Sequence, residues 1–167
     1  MKHAHVRLLL FEDRLVEALL SSSVLHRDAT VMRCEGKTQW THSVSNDRLT
    51  FYCLDEQRGT EAINRAGILP LYKGHLVHDR YASYFQYDQM DHSLCNAHLL
   101  RELKYLQEEN CAWAMEIMDL LLKAKQHKEQ SPVVSKALKI TSPITVCVQQ
   151  KIQVYGHLRK MHPLRKG

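Results

Sequence analysis

No uncharged apolar stretch in these 167 residues approaches the ~20 that a membrane-spanning helix needs. Leu8-Leu9-Leu10-Phe11 runs at once into Glu12-Asp13-Arg14, which excludes a secretory h-region. Cys-x-x-Cys is absent; the five cysteines (Cys34, Cys53, Cys95, Cys111, Cys147) are odd in number and scattered. This excludes a disulfide framework and reads as reduced thiols in a cytoplasm. With 4 prolines and 6 glycines, neither collagen nor low-complexity disorder fits. What is present is ordinary for a soluble globular protein: 44% apolar and 25% charged residues. The length suits one domain with appendages, and a chain this long buries about 70% of its extended surface.

Acidic residues also run out. Residues 1–129 carry 16 Lys+Arg against 18 Asp+Glu, whereas residues 130–167 carry 7 Lys+Arg and no acid. The net charge of +5 therefore comes entirely from the segment after Glu129. Such a segment attracts phosphate backbones without sequence preference, or is simply a solvated basic terminus.

Leu8, Phe11, Leu15 and Leu19 predict an amphipathic helix over 6–20, stopped by Ser21-Ser22-Ser23. Val24 to Asp28 reads as a short strand with a polar end. Lys37–Val44 and Leu49–Leu54 follow, with turns at Glu35-Gly36 and Asn46-Asp47, giving an antiparallel meander of three strands. Thr60 is positioned to cap a helix that Gly67 stops. His75 to Asp79 is another short strand ending in an acid, Tyr81–Tyr87 has helical spacing, and Ser93–Cys95 suggests a further strand. Leu99, Leu103 and Leu106 share one helix face; after a break near Asn110, Trp113, Ile117, Leu120 and Leu121 share another. From Ser131 the pattern fails, and Val146, Val148 and Ile152 fit a strand or a helix equally.

Two aspartates at the ends of neighbouring strands, Asp28 and Asp79, have the chemistry of a divalent-cation site, since magnesium takes hard oxygen donors. Taken alone, the pattern fits turn-initiating aspartates as well.

The local wording extends this. Val24-Leu25-His26-Arg27-Asp28-Ala29-Thr30, Glu35-Gly36-Lys37-Thr38-Gln39-Trp40 with His42, and Arg58-Gly59-Thr60-Glu61-Ala62 come first. Gly67-Ile68-Leu69-Pro70, then Gly74-His75-Leu76-Val77-His78-Asp79-Arg80-Tyr81 with Tyr84-Phe85, come next. The clearest is His92-Ser93-Leu94-Cys95-Asn96-Ala97-His98-Leu99-Leu100-Arg101-Glu102-Leu103. In this order and spacing, over about residues 10 to 128, the chain resembles the transposases of the insertion-sequence sixty-six family. The resemblance implies a ribonuclease-H-like α/β fold: a mixed sheet with a three-strand antiparallel meander, further strands and flanking helices, here incomplete. It implies an Asp-Asp-Glu catalytic triad holding magnesium, for which manganese substitutes, with Asp28 as first acid and Asp79 as second. DNA is the implied partner, together with the chain itself or a full-length transposase, and no membrane. The implied location is cytoplasmic, at the nucleoid when bound to DNA.

Departures from the family pattern carry equal weight. Where the family reads Asp-Glu-Thr-Gly, this chain has Asp28-Ala29-Thr30-Val31. The family's third acid precedes a stretch like Val148-Gln149-Gln150-Lys151-Ile152. Counting back without a gap places it near Ile140, and no acid follows Glu129. An internal deletion is the expected cause, and a catalytically defective transposase fragment the expected result. The end-recognition region that usually precedes the core is expected to be lost, since about 23 residues precede the first strand. Glu102, Glu109 and Glu116, seven apart, read as a solvated stripe on one helix face rather than a replacement acid.

Cys95-x-x-His98 has zinc-ligand spacing, but a structural zinc site takes four ligands and no second pair is evident. A buried thiol beside a hydrogen-bonded histidine fits as well. The expected organisation is a helical segment (1–23), a ribonuclease-H-like core (24–129) and a basic remnant (130–167). In the remnant Lys136, Lys139, Lys151, Arg159, Lys160, Arg165 and Lys166 would meet nucleic acid. The other reading open to such a chain is a non-catalytic DNA-binding or regulatory protein.

Overall fold

The computed structural model describes residues 2–130. Its elements are α1 (Lys2–Leu20), β1 (Val24–Cys34), β2 (Lys37–Ser45), β3 (Thr50–Asp55), α2 (Thr60–Arg65), β4 (His75–His78), β5 (Asp91–Leu94), α3 (Asn96–Glu108) and α4 (Ala112–Gln130). Single 3₁₀ turns lie at Leu69–Leu71 and Ala82–Gln86. The chain divides after Cys95 into two units, the second starting at α3.

The first unit is built on one mixed sheet in the order β3-β2-β1-β4-β5. β1, β2 and β3 form the antiparallel meander, and β4 and β5 run parallel to β1. A three-strand meander continued by two parallel strands beside its first strand, with helices flanking, is the ribonuclease-H-like arrangement. The β1–β2 hairpin is tight because Glu35 (φ 51°) and Gly36 (φ 76°) both take the left-handed conformation that a two-residue type I′ turn requires.

This hairpin lengthens β1 beyond expectation. The strand does not close at Asp28 but continues to Cys34, because residues 26–34 pair with residues 37–45. What stops near Asp28 is the parallel ladder to β4, whose last pair is His26↔Val77. Other boundaries shift by a few residues: α1 starts at Lys2, and the last strand is Asp91–Leu94 rather than Ser93–Cys95. Thr60 is not the cap of α2. That position is Gly59, and the Thr60 hydroxyl donates to Gln86 Oε1 at 2.9 Å.

Alternation along the strands puts Leu25, Val44 and Leu76 on one sheet face, where Leu19 of α1, Ile63 of α2, Ile68, Leu69, Tyr72 and Tyr84 complete a core with almost no exposure. Burying each large apolar side chain contributes about 1.5–3 kcal/mol, so this face supplies most of the folding force. The other face carries Asp28 with Ser43 opposite.

At the end of β3, Asp55 receives both Nε and Nη2 of Arg65 at 2.8 Å, tying α2 to the sheet. These hydrogen bonds hold the Asp55 carboxyl down at about 2, against an ordinary 3.8. Because the folded form binds its proton more weakly, the contribution is complete above about pH 4 and lost as pH falls toward 2. Asp55→Asn is therefore expected to flatten the acid limb of a stability–pH profile between about pH 4 and 2, read as urea midpoints at each pH.

In the second unit, α3 buries Leu99, Leu103 and Leu106. It ends in a Schellman motif: Asn110 is left-handed (φ 60°), and the Cys111 amide donates to the Leu106 carbonyl at 3.0 Å. This break falls where the sequence placed it. It also separates Glu116 from Glu102 and Glu109, so the three do not form a stripe on one helix. Among the described residues no helix is long and apolar enough to cross a membrane.

Candidate metal centre

Parallel pairing of β1 with β4 decides where the two acids go. Val24 lies opposite His75 and His26 opposite Val77, an offset of 51 residues that Asp28 and Asp79 share. Each therefore emerges two positions past the last ladder pair, on adjacent strands. A carboxylate oxygen of Asp28 lies within 4.8 Å of one from Asp79.

Local backbone bonds orient both groups. Asp28 Oδ1 accepts the Ala29 amide at 2.8 Å, and Asp79 Oδ1 accepts the Tyr81 amide at 3.0 Å in an Asx-type turn. Asp79 Oδ2 takes Arg58 Nη2 at 2.6 Å; this pair is half-buried, with side chains 27% and 19% exposed. The Arg58 guanidinium also lies over two rings, 4.2 Å from the Tyr81 centroid and 5.2 Å from that of Trp40.

Behind Asp28 sits a buried polar brace. Arg27 points to the core face, where its Nη1 donates to the carbonyls of Asp28 (3.2 Å) and Ser43 (3.0 Å), and its Nη2 donates to His42 Nδ1. His42 Nε2 donates to the Gln57 carbonyl at 2.9 Å, so the ring is the neutral tautomer protonated on Nε2. Burial pushes the His42 pKa down, with the Arg27 charge adding to it, and pushes Arg27 down as well. Behind Asp79, the fully buried His78 donates from Nδ1 to the Asp79 carbonyl, with its Nε2 2.9 Å from His92 Nδ1.

The two acids suit a divalent cation. Both are hard oxygen donors, and oxygens within 4.8 Å of one another are near enough for one ion at about 2.1 Å from each to be shared after a small adjustment. Arg58 stands in for a positive charge at Asp79 Oδ2.

The remaining predicted residues have different fates. Cys95 follows β5 and belongs to no group of three potential metal ligands among the described residues; His98 lies in the first turn of α3, in the other unit. Lys136, Lys139, Lys151, Arg159, Lys160, Arg165 and Lys166 lie outside the described residues, as does the position near Ile140. Sequence reasoning assigned no role to Arg27, His42, Trp40, Arg58 or Tyr81. All five stand in the motif strings, but what they touch depends on tertiary pairing.

Fold and acid pair together define the class: a ribonuclease-H-like chain with two aspartates side by side on adjacent parallel strands. The chain belongs to the Transposase IS66 family, whose model matches residues 1–155, a wider span than the motifs alone cover. No curated protein matches it. Among solved structures, it is similar to a chain of the simian T-cell lymphotropic virus intasome in complex with PP2A regulatory subunit B56 gamma. There the identity is 12% and the TM-score 0.38, over 56% of this chain and 43% of that one. It is also similar to the HTLV-2 integrase catalytic core domain in complex with magnesium. The trimeric form gives 12% identity and TM-score 0.36 over 59% of this chain and 81% of that one, and the dimeric form 16% and 0.35 over 59% and 82%. This chain thus spans less than half the length of the first of these, and likeness at such scores carries no argument about activity.

Proposed function

We propose that this chain is a transposase-derived DNA protein of the Asp-Asp-Glu type that keeps a two-aspartate cation site and lacks the third acid of a complete catalytic centre. The observation that carries the reading is the closeness of Asp28 and Asp79, within 4.8 Å across two parallel strands. A bound magnesium or manganese ion would supply charge neutralisation at a scissile phosphate. The chain's own part would be to fix the two carboxylates through the Ala29 and Tyr81 amides. Because no acid follows Glu129, the cation would be held by fewer protein ligands than the family pattern provides. Since positioning dominates phosphoryl transfer, strand cleavage by the isolated chain should be weak or absent. Four described cysteines are free thiols, which suits a reducing cytoplasm.

The test is a calorimetric manganese titration of the wild type beside Asp79→Asn, with folding checked by circular dichroism. The wild type is expected to bind, and the variant to lose at least about tenfold in affinity. A folded wild type that takes up no manganese would sink the reading. Metal-dependent nicking of DNA that disappears in Asp79→Asn would instead overturn the claim of defective catalysis.

The acid-free segment after Glu129, with 7 Lys+Arg, favours a second reading: DNA binding without catalysis, through phosphate contacts. It predicts steeply salt-dependent binding that persists without magnesium and vanishes when residues 130–167 are removed.

A further inference from the structure

We propose that Arg58 guards the cation site: it occupies Asp79 while no divalent cation is bound and is handed to a DNA phosphate when one arrives. The inference rests on the Asp28–Asp79 cation reading and deepens it.

Four observations carry it. Arg58 Nη2 donates to Asp79 Oδ2 at 2.6 Å, so its charge lies where a cation shared with Asp28 would need an oxygen. The other oxygen of Asp79 accepts the Tyr81 amide, so guanidinium and metal compete for the charge of one carboxylate whose Oδ2 Arg58 already holds. Arg58 Nε is buried and has no hydrogen-bond partner among the described residues, so one donor of this guanidinium is unused in the Asp79-bound position. Finally, the guanidinium lies over the rings of both Trp40 and Tyr81, and the side chain remains 27% exposed.

A cation over two aromatic faces keeps that attraction when its fork turns away from Asp79, so losing Asp79 does not strand the charge. The guanidinium fork matches phosphate oxygens in geometry, and arginine stays charged throughout. A divalent cation at Asp79 would repel Arg58 and draw a phosphate to within its reach. Cation and nucleic acid then bind cooperatively, because the cation frees the donor that the phosphate uses.

The experiment uses the full chain, Arg58→Gln and Arg58→Lys, with manganese titrated by calorimetry. A short labelled DNA duplex is then bound with and without calcium, a cation chosen to avoid cleavage. Arg58→Gln should bind manganese about three- to tenfold more tightly than the wild type, since no guanidinium competes for Asp79. It should bind the duplex about three- to tenfold more weakly with calcium present, and equally without it. Arg58→Lys, which keeps the charge without the planar stack, should fall between, and it carries the same test if Arg58→Gln does not fold. Manganese binding in the variants equal to or weaker than in the wild type would overturn the guard role, leaving Arg58 a support for Asp79. An equal loss of duplex affinity with and without calcium would overturn the hand-over. A wild type that binds no manganese would sink the underlying cation reading, an outcome distinct from both.

Discussion

Arg27→Met should lower the unfolding free energy by about 3 kcal/mol or more, although methionine nearly fills the same space. Arg27 is 3% exposed and serves three acceptors: the Asp28 carbonyl, the Ser43 carbonyl and His42 Nδ1. Methionine donates to none of them: the buried His42 Nδ1 loses its donor, at on the order of 1–3 kcal/mol, and two carbonyls lose bonds from a charged group that carry about 1.5–3 kcal/mol each. Urea unfolding of wild type and variant measures the loss directly. A second variant, Arg27→Met with His42→Leu, should recover part of it, because the buried His42 Nδ1 is no longer left without a donor and the Gln57 carbonyl it served belongs to an exposed residue. The brace also holds the backbone beside Asp28, so the single variant should weaken manganese binding while both acids stay in place. An Arg27→Met protein as stable as the wild type would show that the brace holds nothing.

Gly74→Ala has the second largest expected effect. A Cβ at Gly74 would meet the Tyr72 hydroxyl and lie 2.6 Å from ring atom Cζ. Tyr72 has no easy way to yield: it is fully buried, and its hydroxyl lies 3.1 Å from the Ser22 carbonyl and 3.2 Å from that of His75. The overlap falls at the entrance to β4, where the His75 amide bonds to the Ser23 carbonyl at 3.0 Å to begin the parallel pairing. Overpacking of this kind costs about 1–3 kcal/mol, and the upper part of that range is expected because the neighbour is a buried ring. Introduced into a Tyr72→Ala background, the same substitution should cost much less, a coupling that thermal or urea unfolding of all four proteins resolves.

Much of the described fold was legible in the sequence because its signals are local. Glu35-Gly36 names a hairpin turn, Asn110 a helix stop, and the run from Asn96 through Leu103 to Leu106 an amphipathic helix. The two acids were found through motif wording and strand ends. Their strands were read as neighbours, but the parallel register that sets one acid beside the other was not, since no local pattern states which residue of one strand lies beside which of the next. The same limit explains the misplaced end of β1: a strand whose distal half stays exposed has no apolar alternation to announce it, and only its pairing with β2 defines it. Thr60 failed as a cap because its hydroxyl found a tertiary partner in Gln86. Arg27 was given no role, although the alternation that sends Leu25 inward sends Arg27 to the same face.

That alternation decides which changes in length the centre can survive. The partnership of the two acids is written in strand pairing rather than in chain length, so the segment joining β3 to β4 can lengthen or shorten without moving Asp28 relative to Asp79. A single residue added within Val24–Asp28 has the opposite outcome. With the ladder from Val24 to His75 retained, the insertion carries Asp28 into the face that holds the apolar core and turns Arg27 toward the face that held the carboxylate. Sampling of indels along this gene should therefore find them excluded from the five residues that open β1.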